Sequence, residues 1–359
     1  MNIVIAAGGT GGHLYPAVAL AKEFQEQDPK TVITFVGAGR QLEKSILTHE
    51  RFALAHIRVQ GIVGRGIWGA LQALLLFPRA IWTSLRLLKA KGTDLVVGTG
   101  GFFSPPVVLA AWLLGIYRVI LEPNAMPGLA NRFLGPLANR IFLAFDQAKP
   151  YFNPSKVRIV GTPLRKEFCK TDGFSPSQRL SRLLIFGGSQ GARAINRAMV
   201  EALQHSKVLR QNLHIIHQTG IDDQVETRTL YEKVGVEAEV VPFLYDMPEV
   251  LRAADLVIAR SGAGTLAELA ACGKPAILIP FPHATHGHQE KNARAVEAKG
   301  AAVVILESEL TGRRLAQEIE SFLNHPDRLN TMAERSYGRR VTDATVRMVQ
   351  ECQLLFANR

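Results

Sequence analysis

The sequence predicts an α/β protein made of two doubly wound domains facing across a cleft. Three observations point there. Short apolar, β-rich runs alternate with longer helical stretches along all 359 residues. The runs are continuous rather than alternating, as in strands buried on both faces of a parallel sheet. The second half repeats the plan of the first: each half opens with a strand that runs into a glycine-rich turn and then a helix, a Rossmann-like pattern.

The elements follow in order. Ile3–Ala7 is an unbroken apolar run, so Asn2–Ala7 is the first strand; Gly8-Gly9-Thr10-Gly11-Gly12 turns it into a helix over Leu14–Gln27. Val32–Val36, Leu54–Arg58, Asp94–Gly98, Val119–Glu122 and Arg140–Leu143 are the further strands of the first half. Gly and Pro interrupt the pattern at Val160–Arg165, which places the boundary there. Arg182–Phe186 then runs into Gly187-Gly188-Ser189-Gln190-Gly191 and a helix over Ala192–His205. Leu213–His217, Glu237–Val241, Asp255–Ala259, Pro275–Ile279 and Ala301–Ile305 complete the second set, with a helix at Gly264–Cys272. Val341–Phe356 reads as one amphipathic helix able to pack back on either half. The domains are therefore expected at 1–160 and 161–340, with a terminal segment 341–359 that can return to the first.

Composition bounds the function. With 47% hydrophobic and 20% charged residues the chain is globular. Its three cysteines, Cys169, Cys272 and Cys352, have no CxxC spacing, so neither a disulfide framework nor a structural zinc site is suggested. The start MNIVIAAGGT lacks the basic and long apolar regions of a secretory leader, so a cytoplasmic setting is expected. The formal net charge of +11 is uneven: residues 1–160 carry 17 Lys+Arg and 8 Asp+Glu, whereas 161–359 carry 25 and 23. That asymmetry suggests an anionic partner for the first half.

Glycine turns at the ends of parallel strands let backbone approach a ligand while the following helix aims its positive end at the same place, which suits a diphosphate. Three narrower readings can be tested. A dinucleotide fingerprint fails, because the sixth position counted from Gly9 is Leu14 and the second strand ends Phe35-Val36-Gly37 with no acid for a ribose. A Walker loop lacks its lysine. Gly187-Gly188-Ser189-Gln190-Gly191 matches GxSxG, the setting of a hydrolase nucleophile, but the first half has no counterpart nucleophile.

Two more clusters carry chemistry. Arg260-Ser261-Gly262-Ala263-Gly264-Thr265-Leu266-Ala267-Glu268 puts small residues before a helix and a carboxylate inside it, able to accept from a ribose diol; a first-turn acid favoured by the helix dipole is the plainer account. His283, His286 and His288 lie in a Pro-bounded loop without the i, i+4 spacing or the Cys or carboxylate of a metal site, so no metal is expected. Gln289 and Asn292 suit sugar hydroxyls better.

Together, GGTGGH, the Gly-Gly-Ser-Gln-Gly-Ala turn, RSGAGTLAE and HQ-x-x-NA resemble the MurG family of N-acetylglucosaminyltransferases, over nearly the whole chain and in order; Gly100-Gly101-Phe102 and Glu122-Pro123-Asn124-Ala125-Met126-Pro127-Gly128 fit as well. The resemblance implies a GT-B fold. It implies an inverting transfer of GlcNAc from UDP-GlcNAc to a polyprenyl-diphosphate-linked MurNAc-peptide, lipid I, giving lipid II for peptidoglycan synthesis, with no cofactor. Carried over by position, Ser189 meets the diphosphate, Glu268 the ribose, Gly264 and Thr265 the phosphate side, the backbone at Leu244 the uracil, and Gln289 the GlcNAc hydroxyls with Asn124. Arg165 lies near the donor, and Thr10, Gly11 and Gly12 near the transferred sugar and acceptor. His13 is the candidate general base, with Glu122 next because it ends a strand at the same rim. The chain departs from the family at Leu121-Glu122-Pro123-Asn124, where His-Glu-Gln-Asn is usual, and at Phe102, where Tyr is usual.

Residues 61–91 interleave apolar side chains with Trp68, Trp82, Arg65, Arg79, Arg86, Lys89 and Lys91, and no acid occurs between Glu50 and Asp94. The apolar run stops at Pro78-Arg79, too short to span a bilayer. A helix lying in the interface on anionic lipid, with Trp68, Arg79, Trp82, Arg86 and Lys89 as its contacts, fits better, and would hold the protein at the cytoplasmic face of the membrane as a peripheral protein. No nucleic-acid motif is present. Two rivals remain: a UDP-GlcNAc 2-epimerase, which needs no interfacial patch, and a non-catalytic sugar-nucleotide-binding subunit, which needs no base.

Overall fold

The computed structural model describes residues 1–8, 11–57, 59, 66–170, 174 and 179–357, and at 11, 42 and 66–75 the backbone alone. It divides into two compact units, Met1–Arg165 with Asp343–Arg359, and Lys166–Thr342.

The first unit holds seven parallel strands: β1 (Asn2–Ala6), β2 (Val32–Gly37), β3 (Ala53–His56), β4 (Leu95–Gly98), β5 (Tyr117–Glu122), β6 (Arg140–Leu143) and β7 (Val157–Ile159). Their order is β3-β2-β1-β4-β5-β6-β7. Six of these are expected from the sequence; β7 is a three-residue edge strand, Val-Arg-Ile, whose residues are each only partly buried, so it carries no apolar run to recognise. Alternation along the strands sends side chains to two cores. Ile3, Ile5, Phe35, Leu95, Val97 and Phe142 meet Leu14, Val18 and Phe24 of the helix Gly11–Gln27. Val4, Val36, Val96, Ile120 and Ile141 meet Ala80 and Leu88 of the helix Gly66–Ala90 and Val107 of Ser104–Leu113. The terminal helix Ala344–Ala357 joins the first of these cores through Met348, Val349, Cys352 and Leu355. Its Glu351 pairs with Arg140 and Arg158 at 3.3 and 3.1 Å, and Phe356 packs edge-on to Tyr117.

The second unit holds six parallel strands, β8 (Arg182–Phe186), β9 (His214–Gln218), β10 (Ala238–Val241), β11 (Leu256–Ala259), β12 (Ala276–Leu278) and β13 (Ala302–Val304). Their order is β10-β9-β8-β11-β12-β13. In each unit the chain winds outward one way from its first strand and then returns to start the other way. The switch points lie between β1 and β4, and between β8 and β11. Ligands of doubly wound sheets bind outside the carboxyl ends of the strands at such points.

Candidate active site

Among the described residues, the glycine-rich segments singled out in the sequence fall at the switch points: Gly8 and Gly11-Gly12 after β1, Thr99-Gly100-Gly101 after β4, GGSQG after β8 and RSGAG after β11.

In the second unit, the turn after β8 is closed by Gly191 N donating to Gly188 O at 3.0 Å. Gly188 and Gly191 have φ of +97° and +74°, the left-handed region that favours glycine. A Cβ on Gly191 would lie 1.7 Å from Thr219 O, so no other residue fits there. Ser189 and Gln190 stand exposed at the tip. The helix Arg193–His205 behind the turn has neither an acid in its first turn nor a side-chain cap. Its first N–H groups and positive dipole end are thus unsatisfied from within, the arrangement that favours a phosphate. Beneath it lies a buried polar chain. Asn196 Nδ2 donates to Thr219 O and Asp223 Oδ2, at 3.1 and 3.0 Å. Its Oδ1 must then accept from His217 Nε2 at 3.0 Å, and His217 Nδ1 accepts from the Tyr231 hydroxyl at 2.9 Å. Burial holds His217 down at about 3 and so neutral, and pushes the Tyr231 hydroxyl up. Leu244 is buried, and its N–H donates to Gln218 Oε1 at 2.8 Å.

After β11, the helix Ala263–Ala271 likewise has no first-turn acid and no side-chain cap. Gly264 and Thr265 are half-buried in its first turn, and a Cβ on Gly264 would meet nothing within 4 Å. Glu268 is half-buried at the sixth helical position, one turn too deep for the dipole account. Arg260, buried, donates to Ile279 O and Pro280 O, both at 3.1 Å, and pairs with Glu307, fixing the loop after β12. In that loop Phe281 N donates to Gln289 Oε1 at 3.0 Å, which orients the Gln289 amide and leaves its nitrogen to donate to a hydroxyl. Asn292 is fully buried and its amide donates to Ser261 O at 3.4 Å, which braces the turn after β11.

In the first unit, Gly11, Gly12 and His13 open the helix Gly11–Gln27, which has no acid in its first turn; His13 is half-buried. Thr10 lies outside the described residues. Ser104 Oγ donates to Gly100 O at 2.8 Å and accepts from Gly100 N at 3.0 Å, tying the turn after β4. Arg165, the last residue of this unit's first segment, lies over the Tyr15 ring at 5.4 Å. Glu122 is not placed as a base. Only 1% exposed, its carboxylate accepts from Asn124 N, Asn124 Nδ2 and Gly128 N, each at 3.0 Å, and from Asn131 Nδ2 at 2.9 Å. It staples the loop that carries Asn124. Burial pushes its carboxyl up, against the pull of these four donors.

On the helix Gly66–Ala90, Ala80, Ser84 and Leu88 are buried, at helical spacing. Arg79, Trp82, Arg86 and Lys89 form the opposite, exposed stripe, with Arg86 stacked 3.5 Å over the Trp82 ring. The Trp68 side chain lies outside the described residues. Among the described residues no helix is long and apolar enough to cross a membrane.

Two doubly wound units, each with glycine turns at its switch point, define the two-domain, GT-B class of glycosyltransferase fold. Residues 3–143 match the glycosyltransferase family 28 N-terminal domain, and 182–348 its C-terminal domain. The UDP-N-acetylglucosamine–N-acetylmuramyl-(pentapeptide) pyrophosphoryl-undecaprenol N-acetylglucosamine transferase of Myxococcus xanthus is 45% identical over 340 residues, 94% of this chain and 88% of that one. The transferase of that name from Syntrophotalea carbinolica is 43% identical over 98% of both chains. The crystal structure of Acinetobacter baumannii MurG superposes with a TM-score of 0.80 at 29% identity, covering 98% of this chain and 99% of that one. A putative UDP-N-acetylglucosamine 2-epimerase from Listeria monocytogenes shares the fold alone, with a TM-score of 0.72 at 15% identity over 100% and 97% of the two chains. The chain belongs to glycosyltransferase family 28, in its MurG group.

Proposed function

We propose that the protein is an inverting N-acetylglucosaminyltransferase that moves GlcNAc from UDP-GlcNAc to the C4 hydroxyl of the MurNAc of lipid I, making lipid II. The observation that carries this is identity of 43–45% over nearly the full length to transferases named for that reaction. The epimerase likeness is one of fold only.

The donor belongs to the second unit. Its diphosphate meets Ser189 and the amides of the glycine turn, with Gly264 and Thr265 at the neighbouring helix end; both dipoles stabilise the charge that develops on departing UDP. Glu268 accepts from the ribose hydroxyls, the Leu244 backbone reads uracil, and the oriented Gln289 amide donates to GlcNAc, whose contacts include Asn124 and Arg165. In the first unit Thr10, Gly11 and Gly12 line the sugar and acceptor, and His13 removes the proton of the attacking hydroxyl. Attack on an α-linked donor with one displacement gives a β-linked product and needs no covalent intermediate. The exposed Arg79–Trp82–Arg86–Lys89 stripe, with Trp68, rests on anionic lipid at the cytoplasmic face of the membrane, where the lipid-linked acceptor is anchored.

The donor assignment is tested by Glu268→Ala. Loss of a charge-assisted pair costs about 2–3 kcal/mol, so the Michaelis constant for UDP-GlcNAc rises much more than that for the acceptor. Unchanged donor kinetics in a folded variant would remove Glu268 from the site.

A further inference from the structure

We propose that Gln218 is a positioning residue that locks the nucleobase-reading segment and the diphosphate turn at one fixed spacing, so that the site favours an intact nucleoside diphosphate over its two fragments. The inference rests on the donor reading above and extends it to a residue that touches no substrate.

Gln218 is the last residue of β9 and is 1% exposed. β9 lies between β8, which delivers the glycine turn, and β10, which leads to Leu244. One planar carboxamide bridges the two. Nε2 donates to Gly188 O at 2.8 Å, and Oε1 accepts from Leu244 N at 2.8 Å. Both partners are backbone atoms, and both belong to segments assigned to the donor. Gly188 O also accepts from Gly191 N, so the atom that Gln218 holds is the one that closes the turn. The next two residues extend the seat: a Cβ on Gly191 would strike Thr219 O, and a Cβ on Gly220 would lie 2.3 Å from Gln190 O. Turn and β9 end are interlocked backbone to backbone. A rigid amide at this junction fixes how far the Leu244 backbone stands from the amides around Ser189. A ligand that spans both gains from that preset distance, whereas a ligand touching one end does not.

The test is Gln218→Met, similar in length and unable to make either bond. Binding of UDP, uridine and inorganic pyrophosphate to the full chain is measured by calorimetry, with competition for the weak ligands. Losing two neutral hydrogen bonds predicts UDP affinity lower by roughly tenfold, with uridine and pyrophosphate each within about twofold of wild type. The Michaelis constant for UDP-GlcNAc rises by a similar factor while kcat stays within about threefold, a split that general destabilisation does not produce. Should Gln218→Met fail to fold, Gln218→Glu, which keeps the acceptor for Leu244 N but cannot donate to Gly188 O when ionised, carries the same comparison. Unchanged UDP affinity, or equal weakening of all three ligands, overturns the inference. A wild-type chain that binds no UDP overturns the donor reading itself, and this inference with it.

Discussion

Glu122→Ala separates a structural carboxylate from a catalytic one. The carboxylate accepts four N–H bonds at 2.9–3.0 Å from Asn124, Gly128 and Asn131. Asn131 is 2% exposed; its Nδ2 also donates to Leu121 O at 3.0 Å, but the N–H aimed at Glu122 has no route to water when that acceptor goes. Asn124 and Gly128 are half-buried and recover part of their loss by solvation. Buried donors left unmade cost about 1–3 kcal/mol each, and the partners here are neutral amides, so their loss sets the penalty. We expect Glu122→Ala to lose about 3–5 kcal/mol and Glu122→Gln about 2, since its amide keeps one oxygen but presents N–H groups to donors. The three tryptophans, Trp68, Trp82 and Trp112, all lie in the first unit, so tryptophan fluorescence during urea unfolding reports that unit by itself. Turnover is measured on the same samples below their unfolding transitions. A staple predicts a lower urea midpoint, with Glu122→Gln retaining most of its kcat. A variant as stable as wild type, with turnover lower by roughly a thousandfold, would refute the staple and make Glu122 the base.

His13→Ala leaves UDP binding near normal and lowers turnover by roughly two to four orders of magnitude; a fall of less than about tenfold would make His13 a loop-ordering residue. His217 is held at about 3, against 6.5 when unfolded. The unfolded chain therefore takes up a proton on this histidine that the native one refuses. Its share of stability is complete above pH 6.5 and drains away as pH falls toward 3, by up to about 1.4 kcal/mol per unit. Unfolding followed by circular dichroism from pH 7 to 4 shows a shallower acid loss in His217→Gln; equal slopes would place the titration elsewhere. Arg79→Glu, Arg86→Glu and Lys89→Glu combined abolish salt-sensitive binding to anionic liposomes, at about 1 kcal/mol per basic group, while sparing UDP binding; equal sedimentation of both proteins with vesicles would exclude this stripe as the membrane face.

The strands and the turn after β8 are legible because continuous apolar runs ending in glycine have few other uses in a globular α/β chain. Local pattern says where a turn is, and the winding of the sheets then brings the RSGAG and GGSQG turns of one unit to one switch point. What the sequence hid is long-range. Gln218 follows an apolar strand like any solvent-facing polar residue, and only the pairing of β9 between β8 and β10 shows both ends of its amide engaged. Asn292 lies three residues beyond Gln289, and the packing of the helix His288–Glu297 decides that one is buried and the other half-exposed. Glu122 at a strand end reads equally as base or brace until its four donors, up to nine residues away, are seen. Family resemblance supplied the roles of Ser189, Leu244 and Asn124, which spacing alone does not assign.

The most direct measurement is incubation of the protein with labelled UDP-GlcNAc and a lipid I analogue, following released UDP and the linkage of any product. The account predicts UDP release that depends on the acceptor, in step with a β-linked GlcNAc–MurNAc disaccharide on the lipid. Formation of UDP-ManNAc without acceptor, or UDP binding with no turnover when acceptor is present, would contradict it.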